Sequence, residues 1–289
     1  VYMFTRRCTQ RQFLMRPDRL TEQAYWYCFA EACIEVGMDA YWALAHTNQT
    51  HYGLGDPGGV YPDFLRRFHG NFAKVMNALR GRRENFWASG VQTSVVECVE
   101  PKDTLDKMVY SLTNVVKDGL VDRAGLWPGA TSLGYQLRDK ELVVRRPHWY
   151  FDPEGKMPEE VRLKFVRPKG FEHLSQEEWA DVLRREVRVE EERAAEKRRR
   201  KGQRVRGRKA VLRQNPFGKP KSREPRRKLS PRVACKNKWR RIDALKKLAV
   251  FARQYREALA AFKGGDRDAV FPAGTWKLHR ELGVARHPA

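Results

Sequence analysis

Hydrophobic and polar positions along this chain follow two different periods. Val1 to Met15 is rich in β-formers and reads as a strand, with Arg6, Arg7, Arg11 and Arg16 in and after it. Leu20 to Met38 has helical spacing, its bulky residues interleaved with Glu22, Glu31 and Glu35. Asp39 to Ala45 and Gln49 to Leu54 read as two short strands around the turn-prone pair Thr47-Asn48. Gly53 and Gly55 weaken the second strand, and Asp56-Pro57-Gly58-Gly59 ends it. Tyr61 to Arg80 is helical, with Phe64, Phe68, Phe72, Val75 and Leu79 on one face and Arg67, Asn71, Lys74 and Asn77 on the other. Ser89 to Val99 is a further strand. Pro101 suits the first turn of a helix that ends near Gly119.

Past Trp127-Pro128-Gly129 the pattern changes. Leu142 to Val144 and Val161 to Val166 read as a hairpin around Asp152-Pro153-Glu154-Gly155. Ser175 with Glu178 forms a capping box that opens a helix running into the charge-rich stretch Glu190 to Lys201. Gly202 to Arg232 is Arg, Lys, Pro and Gly with few apolar residues, a composition expected to be disordered in the free protein. Helical spacing resumes from Trp239 to Phe262, and the short segment Phe271 to Trp276 is expected to dock back on the body.

Charge sharpens this division. The block from Lys197 to Arg241 holds 21 Lys and Arg against one acid, Glu224. The rest of the chain is nearly balanced, at 37 basic and 34 acidic residues. The basicity is therefore local, and a polyanion such as nucleic acid is its natural partner, because each neutralised phosphate releases a counterion. A solvated linker is the plainer account. The five cysteines (Cys8, Cys28, Cys33, Cys98, Cys235) have no pairing that closes a zinc site, so reduced thiols are expected. Glu31 and Glu35 interrupt the best apolar run, so no membrane span is expected. The opening residues read as a strand rather than an export signal. These features point to a cytoplasmic protein, associated with the nucleoid if its partner is DNA.

The candidate chemistry sits on two elements. On a strand, Gln49 and His51 share a face; on a helix, Tyr110 and Asn114 share one. An imidazole, two amide oxygens and a phenol could thus face one point. A phenol with an ordinary pKa of about 10 is a poor nucleophile at neutral pH. A divalent cation on a phosphate oxygen would make the phosphorus electrophilic and fix the geometry. Oxygen ligands favour Mg²⁺ or Mn²⁺, and the imidazole favours Mn²⁺ of the two. Two readings stay open for each residue. Tyr110 lies on the polar side of its helix, away from Leu105, Met108, Val109 and Leu112, as many surface tyrosines do. His51 could equally be a structural histidine.

Several motifs in order resemble the REP-associated tyrosine transposases, single-tyrosine members of the HUH nuclease superfamily related to insertion-sequence transposases. They are Thr5-Arg6-Arg7-Cys8 with Phe13-Leu14-Met15-Arg16-Pro17, then Asn48-Gln49-Thr50-His51 followed by Asp56-Pro57, then Phe86-Trp87. The closest is Val109-Tyr110-Ser111-Leu112-Thr113-Asn114-Val115-Val116-Lys117-Asp118-Gly119-Leu120-Val121, similar to that family's Tyr-x-x-x-Asn-Pro-Val-x-x-Gly-Leu-Val helix. The resemblance implies an α+β fold of HUH or ferredoxin-like form, an antiparallel sheet with helices packed on it, followed by a basic, largely helical or disordered C-terminal extension. It divides the chain into a transposase-like domain (1–130), a hairpin connector (131–174), a charged helix (175–201), a basic disordered linker (202–237) and a C-terminal helix with a docking tail (238–289).

By the same resemblance Tyr110 is the nucleophile, forming a 5′-phosphotyrosine with hairpin-bearing single-stranded DNA. Gln49, His51 and Asn114 hold Mg²⁺ or Mn²⁺, and the protein acts as a monomer or homodimer in DNA transposition and recombination. Gln49 stands where the family's first histidine falls, Thr50 replaces its hydrophobic residue, and Val115 replaces its proline. The first substitution leaves open a relative that still binds structured DNA, or RNA, without cutting it. Arg6, Arg7, Arg11, Arg67, Lys74, Arg82, Arg83 and Lys117 are expected to grip DNA, together with Arg200, Arg204, Arg206 and Arg208 in the basic block. Phe86 and Trp87 either stack on bases or belong to the core.

Overall fold

Alternation along one strand decides how this protein is layered. The computed structural model describes residues 1–89, 93–222 and 231–288. Seven strands run through those residues: β1 (Tyr2–Arg7), β2 (Asp39–Ala45), β3 (Gln49–Gly55), β4 (Ser94–Cys98), β5 (Leu142–Arg145), β6 (Glu160–Leu163) and β7 (Val233–Ala234). β5 and β6 form the hairpin expected from the sequence, and the other five make one sheet in the order β2-β3-β1-β4-β7. Its pairings are antiparallel except the last, where β7 runs parallel to β4. The sheet is thus mixed rather than purely antiparallel, within the expected α+β class.

Along β3, Thr50, Tyr52 and Leu54 point to one face, where α1 (Arg19–Val36) and α2 (Tyr61–Leu79) pack. The Thr50 hydroxyl lies 2.7 Å from the Tyr25 phenol, Phe29, Phe64 and Phe68 close round Tyr52, and Phe72 packs on Tyr25 in the same aromatic core. Phe86 and Trp87 belong to this core, not to a stacking surface. α1 starts at Asp18, whose carboxylate accepts the Thr21 N–H at 2.9 Å, and ends at left-handed Gly37. The other face carries Gln49, His51 and Gly53. Gly53 is a seat rather than a weakness: a Cβ there would fall within the Trp42 ring, which packs flat across it, fully buried.

On that second face lies α3 (Pro101–Leu112), opened by a capping box between Glu100 and Asp103. The helix does not run on to Gly119. It breaks at Thr113, whose hydroxyl turns back to the Val109 carbonyl at 2.7 Å, and the chain restarts as the single turn α4 (Asn114–Lys117). α5 (Leu133–Leu137) follows. Next, α6 (Gln176–Arg200) begins at the Ser175–Glu178 capping box and lays Trp179, Leu183 and Val187 into the cluster formed by Leu105, Met108 and Val109 of α3.

Two expectations of irregularity or extension do not match the described residues. The first strand stops at Arg7, because Cys8 bridges to Trp87 and a single tight turn, Thr9–Arg11, puts Gln10 and Arg11 at positive φ. The part of the basic linker over 202–222 lies on the body instead of running free. The Arg206 and Gly207 N–H groups donate to the Gly119 and Leu120 carbonyls, and α7 (Arg208–Leu212) buries Val211. The Gly218 carbonyl accepts from the Phe13 N–H, and the Arg11 guanidinium reaches Ser222. Backbone bonding to groups that the sheet and α4 leave unmatched offsets the poor apolar content. Residues 90–92, at the start of the expected Ser89–Val99 strand, and 223–230 of the linker lie outside the described residues. α8 (Lys238–Lys263) and α9 (Lys277–Leu282) complete the chain. Phe271 is buried against Tyr255 and Phe262, and the Trp276 indole donates to Asp63 at 2.6 Å, so the tail docks on α2.

Candidate nucleic-acid and metal site

The α3-facing side of β3 opens into a cavity of about 1520 Å³ whose wall contains Gln49, His51, Tyr110 and Asn114 together. β3 supplies the first two at alternate positions, and the broken α3–α4 pair supplies the others. Thr5 on β1 is directly opposite His51, and its hydroxyl lies 2.9 Å from Nδ1. When Nδ1 carries the proton and Thr5 accepts it, Nε2 becomes the ring's ligand atom, a neighbour fixing the tautomer. Tyr110 is 43% exposed, its ring edge-on to His51 with centroids 6.2 Å apart. The Lys117 and Lys107 ammonium groups lie over that ring at 4.6 and 5.9 Å.

Asn114 is only 5% exposed, and its Oδ1 has no hydrogen-bond partner among the described residues. A buried carbonyl oxygen left so is uncommon and fits a cation ligand. Its neighbour one turn on, Asp118, has its Oδ2 3.2 Å from His46 Nε2. Burial pulls the Asp118 carboxyl upward, but hydrogen bonding by His46 and the charges of His46 and His51 outweigh it and hold the group below the ordinary carboxylate range. Neither His46 nor Asp118 was singled out by sequence reasoning. Only their approach across 72 residues of chain, as a pair, brings them to notice, and no local pattern encodes it.

Among the described residues, Glu100, Asp103 and Cys235 also form a group with ligand atoms close enough to hold a metal ion. Its carboxylates are already engaged. Asp103 accepts the backbone N–H groups of Glu100 and Lys236, and Glu100 pairs with Arg240 at 3.2 Å. The cluster caps α3 and ties β7 to it.

The basic residues divide. Arg7, Arg11, Arg204, Arg206 and Lys117 line the cavity, joined by Lys107, Arg198, Arg213, Lys219 and Lys221, which the sequence did not single out. Asp118 is the sole acid among the described lining residues. The strap over 202–222 therefore forms part of the same wall as Tyr110. Lys117 also pairs with Glu190 at 2.9 Å. Lys74 and Arg83 border a separate, smaller groove with Arg6. Arg6 is turned inward, donating to His69 Nδ1 at 2.7 Å and lying over Trp87. Burial and then the Arg6 charge push the His69 imidazole well below its usual range, so it stays neutral and accepts. Arg67 is spent on the buried Glu31, at 2.8 and 3.0 Å from Nε, and on Glu35. Arg82 donates to Gln12, Arg200 pairs with Glu196 along α6, and Arg208 starts α7 outside the cavity. Arg67 thus has a structural task in this fold, because a buried carboxylate needs its partner.

All five cysteines carry free, buried thiols. Among the described residues no helix is long and apolar enough to cross a membrane. No family model and no curated protein matches the chain. Among solved structures, a REP-associated tyrosine transposase bound to a REP hairpin matches over 47% of this chain and 78% of its own, at 15% identity and a TM-score of 0.37. An overlap of that extent assigns neither a family nor an activity.

Proposed function

We propose that this protein is a strand transferase acting on single-stranded DNA that carries a hairpin, with Tyr110 as covalent nucleophile. The observation that carries the reading is the exposed phenol of Tyr110 set edge-on to His51, 6.2 Å between ring centroids, in a cavity walled by Arg and Lys. His51 and Asn114, with Gln49, would hold a divalent cation, which supplies charge to the scissile phosphate when bound. The donor set fits such an ion: one imidazole oriented by Thr5, and a buried amide oxygen that no other group among the described residues satisfies.

The chain's own residues supply the rest. Lys107 and Lys117 stabilise the phenolate as the proton leaves for solvent. The Tyr110 oxygen forms a bond to phosphorus, the bond from phosphorus to the 3′ oxygen breaks, and that oxygen takes up a proton. The product is a 5′-phosphotyrosine and a free 3′ hydroxyl. One ester replaces another, so the reverse reaction rejoins strands without an energy source. Arg7, Arg11, Arg204 and Arg206 would hold flanking phosphates.

Gln49 in place of an imidazole favours a second reading, a hairpin-binding protein that no longer cuts. Incubation with a hairpin-flanked single strand and Mn²⁺, read on a denaturing gel, separates the two. The expected result is a covalent adduct that Tyr110→Phe abolishes. Equal cleavage by Tyr110→Phe would overturn the role of the tyrosine, and hairpin binding with no adduct would leave the second reading.

A further inference from the structure

We propose that Asp118, which lies beside His46, is an anionic ligand of the divalent cation in this cavity and supplies the negative charge that the neutral donors Gln49, His51 and Asn114 lack. The inference rests on the reading of the cavity as a site for a nucleic-acid phosphate and a cation. It starts from an anomaly of charge. Among the described lining residues Asp118 is the one carboxylate, in a wall whose other charged side chains are Arg and Lys. A lone anion in a cavity built for phosphates repels the ligand unless a cation stands between them. A divalent ion resolves the conflict by binding carboxylate and phosphate together.

Geometry agrees with the charge. Asn114 and Asp118 lie four residues apart, joined by the Asp118 N–H to Asn114 carbonyl bond at 2.9 Å, so both side chains leave the same turn on the same side. Asn114 Oδ1 is one of the buried side-chain oxygens that find no hydrogen bond among the described residues. His46 approaches Asp118 from the β2–β3 turn and is itself fixed. Its ring stacks on Trp127 at 6.0 Å, and its Nδ1 lies 3.2 Å from the Thr47 hydroxyl. The His46 Nε2 lies 3.2 Å from the Asp118 carboxylate, close enough for an imidazole to support a ligating carboxylate from behind. The ligand atoms of His46, His51 and Asp118 are not yet gathered as tightly as those of Glu100, Asp103 and Cys235. The Asp118 side chain, 52% exposed, has room to swing onto an ion. Three neutral donors bind a hard cation weakly, and one carboxylate changes that.

The test uses the full chain and Mn²⁺ alone, followed by electron paramagnetic resonance, together with hairpin-oligonucleotide binding with and without Mn²⁺. Asp118→Asn is expected to weaken Mn²⁺ binding by about tenfold or more. The same variant should bind the oligonucleotide more tightly in chelator than the parent does, and should lose its stimulation by Mn²⁺. Adding Gln49→His to Asp118→Asn should restore Mn²⁺ affinity, which a change due to misfolding would not allow. Unchanged Mn²⁺ affinity in Asp118→Asn, beside a loss in Asn114→Ala, would overturn the ligand assignment and leave the site standing. A parent protein that takes up no Mn²⁺ with or without the oligonucleotide would overturn both.

Discussion

The strap over residues 202–222 offers the sharpest quantitative test of the proposal that this protein holds a single strand. Arg204, Arg206 and Arg213 are exposed, line the cavity that Tyr110 also lines, and make no side-chain ion pair among the described residues. The strap itself is fastened by backbone groups, so replacing all three side chains with glutamine leaves its anchors intact. If each arginine neutralises one phosphate of a single strand, each contributes about 0.7 to the slope of log K against log salt. The triple variant should therefore flatten that slope by about 2. At about 0.1 M salt this corresponds to roughly a hundredfold weaker binding, or about 2.7 kcal/mol. Fluorescence anisotropy across a salt series, with a hairpin carrying a single-stranded tail, measures both quantities. A slope within about 0.5 of the parent value would refute the placement of a strand under the strap.

Other outcomes follow from the packing. Arg67→Ala strands the buried Glu31 carboxylate and should destabilise the fold by about 3 kcal/mol in urea titration while leaving oligonucleotide affinity unchanged. Gly53→Val drives a side chain into the Trp42 ring and should cost about 1–3 kcal/mol, seen as a lower unfolding midpoint. Burial raises the Asp18 carboxyl, but Arg80 and hydrogen bonds from Thr21 outweigh this and hold it below its usual range. Its contribution to stability is thus present above the unfolded value of about 4 and is lost as pH falls through the folded value. Asp18→Asn should lower stability at neutral pH by about 1 kcal/mol and blunt the acid transition, measured by thermal melts across pH.

Much of the frame can be read from the chain because it is encoded locally. β2, β3, α1 and α2 follow the periodicity of their own residues, and Ser175 with Glu178 marks the start of α6. Alternation alone put Gln49 and His51 on one face. The rest depends on partners distant in sequence. Arg67 looks like a surface cation until Glu31, 36 residues away, is seen to be buried beside it. Arg6 looks like a DNA contact until His69 and Tyr52 form a chain behind it. The break at Thr113 has no Gly or Pro to announce it, and the order of the strap comes from carbonyls of Gly119 and Leu120 that composition cannot reveal. His46 and Asp118 were invisible for the same reason.

The helix bearing Tyr110 is clamped at both ends by residues far downstream. Lys236 and Arg240 bind its opening turn through Asp103 and Glu100, while Arg198 donates to the Val116 carbonyl just past its close, at 2.7 Å. A shortened version ending near residue 130 would therefore carry the tyrosine, the imidazole and the amide on a helix with neither bracket fastened. Whoever trims the gene to this portion should expect the Tyr110 hydroxyl to drift, and an inert fragment would say nothing about the full chain.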